Sequence, residues 1–350
     1  MVSQHLGRII TDKMKLLILT QKMNRNDPIL GFFHDWVKRL SERVESLTVV
    51  CLEKGEFDLP MDVKVLSLGK ESSQSRLKYL WRFYKYIWRE RKNYDAVFVH
   101  MNPEYAILGG LLWRLLGKKI FFWYNHRQGG VRARLAFLFA RKIFYTSPWA
   151  FASGFKRARR MPAGIDTGKF KPGDPKFRIP RLILSLGRIS PVKRIDLFIE
   201  ALDLLAADRV DFSARVYGEP PARDRPYYER IRRQFFYPSV PPQKTPEIYN
   251  QAEIFINLTP SGSFDKTILE AMACGTLVIV ANQSLAKILP ESFLCAGANP
   301  RHLADKIKTV LNLSAKEKED HRRRCRDYAV KEHGLGLLAD ELSRYFNDQD

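Results

Sequence analysis

Short apolar runs rich in β-branched and aromatic residues alternate with amphipathic stretches along the whole chain, and the alternation restarts half way. That order is the signature of βαβ units, because neighbouring parallel strands are joined by a crossover that is usually a helix. In the first half the pattern predicts strands at Lys15–Thr20, Leu47–Cys51, Val63–Leu68, Ala96–His100, Lys119–Tyr124 and Ile143–Thr146. Asp27-Pro28 reads as an N-cap followed by proline at the first helical position, predicting a helix from there to about Val44. Further helices are expected at about Ser75–Lys92, Pro103–Leu116 and Val131–Arg141. A Gly-, Pro- and Lys-rich loop, Pro162–Pro180, reads as an interdomain linker.

Beyond it the pattern predicts strands at Leu182–Leu186, Phe212–Tyr217, Ile254–Leu258 and Leu277–Ala281. Helices are expected at about Ile195–Ala207, Tyr227–Arg233, Pro246–Gln251, Asp265–Ala273 and Pro300–Leu311, and a polar helical tail with a break at Gly334–Gly336. A chain of 350 residues suits two domains. The expected division is 1–170, 171–333, and a last helix in 334–350 that crosses back to the first domain. Two doubly wound sheets of this kind bind ligands at the carboxyl ends of their strands, so residues just after strands weigh most.

Charge is the unusual bulk property. The net charge is +21, and residues 1–170 hold 31 Lys and Arg against 14 Asp and Glu. Such a field draws partners that carry phosphate or other anionic groups. The N-terminus shows no secretory signal pattern, and no apolar run is long enough to span a bilayer. The four cysteines are scattered, which reads as reduced thiols in a cytoplasmic protein.

Two segments carry chemistry. In Leu184-Ser185-Leu186-Gly187-Arg188-Ile189-Ser190-Pro191-Val192-Lys193-Arg194 a strand ends, glycine turns, and Arg188 and Lys193 flank a helix start. Free N–H groups and two cations make a diphosphate cradle, although the same spacing also fits a loop of solvated basic residues. The second segment runs from Asn257 to Val280. A strand enters a small-residue loop, a helix carries the single carboxylate Glu270 among apolar residues, and Gly275 stops it. A carboxylate so placed needs a partner, which a ribose diol or a local cap supplies.

Pro162-Ala163-Gly164-Ile165-Asp166-Thr167-Gly168-Lys169-Phe170, Gly187-Arg188 with Lys193, and Leu269-Glu270-Ala271-Met272-Ala273-Cys274-Gly275 together resemble the family 4 retaining glycosyltransferases. The resemblance covers the linker and most of the C-terminal half. It implies an α/β fold of the GT-B type, two Rossmann-like domains with parallel sheets facing across a cleft. By that resemblance Arg188 and Lys193, beside Gly187, bind the donor diphosphate and stabilise the leaving group. Glu270 holds the ribose, Ser263, Phe264 and Asp265 lie against donor sugar and phosphate, and backbone near Tyr237 faces the base. His126 follows the fifth strand, where the family has a histidine near the reaction centre; a histidine that caps the strand is the structural alternative. The donor is a nucleoside-diphosphate sugar, with no separate cofactor and no metal.

Two departures stand out. The family's second glutamate, eight residues before Glu270, is replaced by Gly262. Its glycine pair after the first strand is replaced by Met23-Asn24-Arg25-Asn26-Asp27-Pro28, leaving Asn26 and Gly31 as acceptor-side candidates.

One stretch of the N-terminal half is distinctive. Lys78, Arg82, Lys85, Arg89 and Lys92 form a basic stripe on Ser75–Lys92, beside an apolar stripe of Leu77, Leu80, Trp81, Tyr84, Ile87 and Trp88. Tyr79, Phe83 and Tyr86 fall on a third face. The helix reads either as a sheet-packing helix with a solvated basic side or as a contact for an anionic membrane surface. A glycan or lipid-linked acceptor at the inner face of a membrane is expected. A nucleic-acid-binding protein on a degenerate GT-B scaffold is the second reading, although no nucleic-acid motif is present and none is expected to bind. A GT-B sugar-nucleotide epimerase is the third, and it lacks identifiable acid and base carboxylates.

Overall fold

The computed structural model describes residues 14–262, 265–297 and 299–348. Its first sheet is built from β1 (Lys15–Met23), β2 (Ser46–Lys54), β3 (Lys64–Ser67), β4 (Ala96–His100), β5 (Lys119–Trp123), β6 (Lys142–Tyr145) and β7 (Ala158–Arg160). These seven strands are parallel in the order β3-β2-β1-β4-β5-β6-β7. Interleaved helices are α1 (Phe32–Ser41), α2 (Arg76–Arg89), α3 (Pro103–Leu115) and α4 (Val131–Phe139).

The second sheet holds β8 (Leu182–Leu186), β9 (Ser213–Tyr217), β10 (Phe236–Tyr237), β11 (Ile254–Asn257) and β12 (Leu277–Val280) in the order β10-β9-β8-β11-β12, again parallel. Its helices are α5 (Ile195–Ala207), α6 (Arg225–Ile231), α7 (Thr245–Gln251), α8 (Lys266–Ala273), α9 (Pro300–Leu311) and α10 (Ala315–His333). The last helix, α11 (Leu335–Asn347), packs against α1 of the first sheet.

Central strands are buried on both faces, as parallel sheets require, so β1 reads Leu16-Leu17-Ile18-Leu19 with no exposed side chain. One face of the first sheet packs on α1 and α11 through Trp36, Leu338, Leu342 and Phe346; the other packs on α2, α3 and α4 through Phe83, Ile87, Trp113 and Phe137. Phe346 is fully buried, with ring centroids 5.6 Å from Phe98 and 5.0 Å from Phe121. Phe346→Ala is expected to cost about 3–5 kcal/mol in urea unfolding, because the sheet cannot close the hole; a loss below about 1 kcal/mol would show that α11 is not part of this core.

Three sequence expectations change. No helix starts at Asp27-Pro28: the Asp27 carboxylate accepts the N–H groups of Ile29 and Leu30 and the Lys22 ammonium, closing a turn, and α1 begins at Phe32. In α2 the core face shifts, and of the expected apolar stripe Ile87 alone is buried. Phe83 and Ile87 are buried and Tyr79 and Tyr86 pack beside them, whereas Leu77, Leu80, Trp81, Tyr84 and Trp88 are exposed. The tail breaks at Gly334 alone, because Gly336 lies within α11.

The strand order reverses between β1 and β4 in the first sheet and between β8 and β11 in the second. Each reversal opens a crevice at the carboxyl ends of the strands. The two crevices face one another: Gln243 donates to the Arg25 carbonyl and Asn26 Oδ1, and Arg127 donates to the Ser261 carbonyl.

Candidate active site

Beyond β8, Gly187 adopts φ +142°, and beyond β9, Gly218 adopts φ +152°. A Cβ on Gly218 would strike the Gly187 carbonyl, so the two turns approach as closely as only glycine allows. The chain then runs through Arg188 to the short turn Pro191–Lys193 and into α5. Arg188 is exposed and has no hydrogen-bond or ion-pair partner among the described residues. The buried Ser190 hydroxyl also lacks a protein partner among them.

Lys193 is not free. Its ammonium pairs with the Asp265 carboxylate, and the two side chains are only 15% and 13% exposed. Asp265 caps α8 by accepting the Thr267 N–H, and also accepts from Asn257 Nδ2 at 2.8 Å and from Thr259 Oγ1 at 3.4 Å. Burial disfavours its charge, but the Lys193 charge and these hydrogen bonds win and hold it at about 2. The residue grouped with the donor sugar by sequence is therefore tied to a residue grouped with the diphosphate.

Glu270 lies one turn beyond Lys266 on α8 and lines a small cleft with Phe32, Asp35, Gly164, Ile165, Asp166, Phe170 and Lys266. It accepts a hydrogen bond from the Tyr249 hydroxyl at 3.1 Å. Burial pushes it up to about 7 against the opposing charge of Lys266, while the nearby Asp265 pushes it further. One helix thus carries both carboxylates, Asp265 at its N-cap and Glu270 on its inward face.

Across the cleft, a cavity of about 250 Å³ is lined by Gln21, Leu30, His100, Met101, Asn102, Pro103 and His126. His126 is exposed to it, and partial desolvation lowers its pKa from the ordinary histidine value. His100 is buried, stacked on Phe33 at 3.9 Å and 3.4 Å from Thr20 Oγ1, and burial drives it down to about 3, so it is neutral near pH 7. Met101 sits at φ +66°, a conformation uncommon for a side-chain-bearing residue and typical of functional crevices. Among the described residues no carboxylate lines this cavity.

The remaining sequence candidates separate. Tyr237, at the end of β10, stacks on Tyr217 with centroids 5.0 Å apart, and its carbonyl accepts from Gly218, at the Gly187 side of the crevice. Asn26 and Gly31 do not line the cavity; Asn26 bridges Glu56 and Gln243, and Gly31 packs near Pro242, so both serve an interdomain contact. Gly262, at φ +134°, lies under the Arg127 side chain, which fills the space any side chain there would need. Ser263 and Phe264 lie outside the described residues. Ser190, His100, Met101 and Lys266 join the site only through tertiary placement.

On α2, Arg82 is tied to the Leu68 carbonyl and Arg89 to the mostly buried Glu90. Lys78, Lys85 and Lys92 remain exposed, with Lys85 4.6 Å above the Trp81 ring. Among the described residues no helix is long and apolar enough to cross a membrane.

Two Rossmann-like domains with parallel sheets facing across a cleft define the GT-B class, and solved structures share it. Anabaena Alr3699/HepE in complex with UDP has a TM-score of 0.76 at 15% identity, covering 95% of this chain and 99% of that one. WaaG, a glycosyltransferase involved in lipopolysaccharide biosynthesis, has a TM-score of 0.68 at 16% identity, covering 95% and 99%. At such identities the likeness speaks for the fold alone. Residues 168–332 match the family model of glycosyl transferases group 1.

The chain is 31% identical over 147 residues to a D-inositol 3-phosphate glycosyltransferase of Acidothermus cellulolyticus, covering 36% of this chain and 33% of that protein. It is 27% identical over 177 residues to a GDP-mannose-dependent alpha-(1-6)-phosphatidylinositol dimannoside mannosyltransferase of Mycobacterium tuberculosis, covering 47% and 45%. The chain thus spans less than half the length of these curated relatives.

Proposed function

We propose that this chain transfers a sugar, with retention and without a metal, from a nucleoside-diphosphate sugar to a glycan or lipid-linked acceptor at a membrane surface. One observation carries the reading: α8 bears Glu270 on its inward face and Asp265 at its N-cap, and Asp265 pairs with Lys193 at the end of the turn that Arg188 opens after β8. Arg188 and Lys193 supply positive charge where the diphosphate leaves, with Ser190 and the N–H groups before α5 as further donors. Glu270, when ionised, accepts two ribose hydroxyls in place of the single Tyr249 bond. His126, a weak base on the opposite wall, bonds a hydroxyl of donor sugar or acceptor. The acceptor enters the cavity between His100 and His126.

The membrane part of the reading rests on a face wider than α2. Tyr84 on α2 donates to the Leu108 carbonyl on α3, and Arg114 on α3 donates to the Leu138 carbonyl on α4, so the three helices are contiguous. Exposed along them are Leu77, Trp81 and Trp88, then Leu111 and Leu115, then Val131 and Leu138. Lysines 78 and 85 stand among these rings, a combination suited to an anionic interface. The N-terminus of α3, at Pro103, opens on the acceptor cavity, which gives a lipid-linked substrate a short path.

For the enzyme reading, the chain is incubated with UDP-, GDP- and ADP-linked hexoses and nucleoside diphosphate release is followed. Release from donors of one base is expected; no release, with thermal stabilisation by an oligonucleotide instead, would overturn it. For the surface, sedimentation with phosphatidylglycerol vesicles is expected to fall about tenfold in a Trp81→Ser, Leu111→Ser variant, with phosphatidylcholine giving weak binding to both. Equal sedimentation of variant and parent would remove the membrane from the proposal.

A further inference from the structure

The chain passes between the domains twice, once after β7 and once between α10 and α11, and the two passages lie side by side. Ile165 N–H donates to the His333 carbonyl at 2.8 Å, Leu335 N–H donates to the Ile165 carbonyl at 2.8 Å, and Ala163 N–H donates to His333 Nδ1 at 3.1 Å. Gly164, at φ +68°, sits in this crossing with its carbonyl accepting from Trp36 Nε1 at 2.9 Å; a Cβ there would strike Leu338 and Trp36. Two adjacent crossings of this kind make a hinge, since any domain rotation must turn about them.

Lys266, the first residue of α8, reaches from the second domain into this hinge. Its ammonium donates to the carbonyls of Ala163 and Gly164, the latter at 3.3 Å. It also lies 4.2 Å from the ring centroid of Phe32 and 4.5 Å from that of Trp36, both on α1 of the first domain. Such a box of two ring faces and two carbonyls suits one desolvated cation. The residue before it is Asp265, which holds Lys193, and the residue one turn after it is Glu270.

We propose that Lys266 is a positioning residue that locks α8 to the hinge, so that domain closure and assembly of the donor site are one equilibrium. Its ammonium contacts the hinge carbonyls and the α1 rings. When the domains rotate apart the rings of Phe32 and Trp36 leave with the first domain, the box around Lys266 opens, and the N-terminus of α8, which carries Asp265 and Glu270, is no longer held to the hinge. Nucleotide binding and domain closure then favour one another by linkage. This rests on the reading of Glu270 as the ribose contact, and the test separates the two.

The four native cysteines are buried, so spin labels can be confined to introduced sites, Lys92→Cys in one domain and Lys287→Cys in the other. Affinity for UDP, GDP and ADP and the interdomain distance distribution are measured in parent, Lys266→Met, Lys266→Arg and Glu270→Ala chains. Lys266→Met is expected to weaken the preferred nucleotide on the order of tenfold and to broaden the distances. Lys266→Arg, which keeps cation and donors, should recover most of both. Parent-like affinity and distances in Lys266→Met, beside loss of binding in Glu270→Ala, would overturn the hinge role and leave the donor site standing. Parent-like affinity in Glu270→Ala would overturn both.

Discussion

Replacing Arg188 by alanine is expected to lower kcat/KM by about two to three orders of magnitude while leaving the fold untouched. The stability half follows from exposure. Arg188 has no partner among the described residues, so its loss should change unfolding free energy by no more than about 0.5 kcal/mol. The catalytic half follows from Lys193, whose charge is already shared with Asp265. By the proposed reading Arg188 is then the cation that answers charge developing on the departing diphosphate. Its planar fork can hold two phosphate oxygens, so Arg188→Lys should restore only part of the rate. The check is steady-state release of nucleoside diphosphate beside a urea titration of each variant. A rate within threefold of the parent would place the leaving group elsewhere.

Asp265→Asn is expected to produce the largest stability change at the site, about 3–5 kcal/mol near neutral pH, because it strands the mostly buried Lys193 ammonium. The loss has a pH signature. Asp265 is held at about 2 in the folded chain against an ordinary 3.8, so the folded state releases this proton more readily than the unfolded one. Its stabilisation is therefore complete above about pH 4 and disappears as the pH falls towards about 2, amounting to roughly 2 kcal/mol. The gap between parent and variant should narrow over that window. By the proposed reading a nucleoside diphosphate brings negative charge back to Lys193, so the favoured nucleotide should raise Tm more in Asp265→Asn than in the parent. A constant gap across pH 2–5, together with equal nucleotide shifts, would mean that the pair is not the site's electrostatic centre.

Much of the fold was legible because long apolar runs and capped helices leave little choice. The strand Ala96–His100 and the helix Pro300–Leu311, opened by the Asn299 cap, follow from local pattern alone. β7 and β10 escaped notice because Ala158-Arg159-Arg160 and Phe236-Tyr237 are too short to show a period; they exist because a neighbouring strand offers its edge. The helix start at Asp27 misled because an Asx-type carboxylate followed by proline serves a turn as well as a cap, and Lys22 chose the turn. The α2 face is ambiguous in sequence for a related reason. Two apolar stripes compete on that helix, and only the sheet beneath decides which is core.

At the site, Gly187, Arg188, Lys193 and Glu270 are candidates through their spacing read together with the family resemblance. The Lys193–Asp265 pairing could not be read, because 72 residues separate its partners. Lys266 was equally silent: in sequence it is one more lysine at a helix start, and its meaning comes from the rings of Phe32 and Trp36 and from carbonyls about 100 residues away.

The most direct measurement is a crystal structure of the chain with whichever of UDP, GDP or ADP raises its Tm most. The predicted result places diphosphate oxygens within hydrogen-bond reach of Arg188 and Lys193 and the ribose hydroxyls on Glu270. A nucleotide seated instead in the cavity between His100 and His126, with Glu270 still bonded to Tyr249 alone, would contradict it.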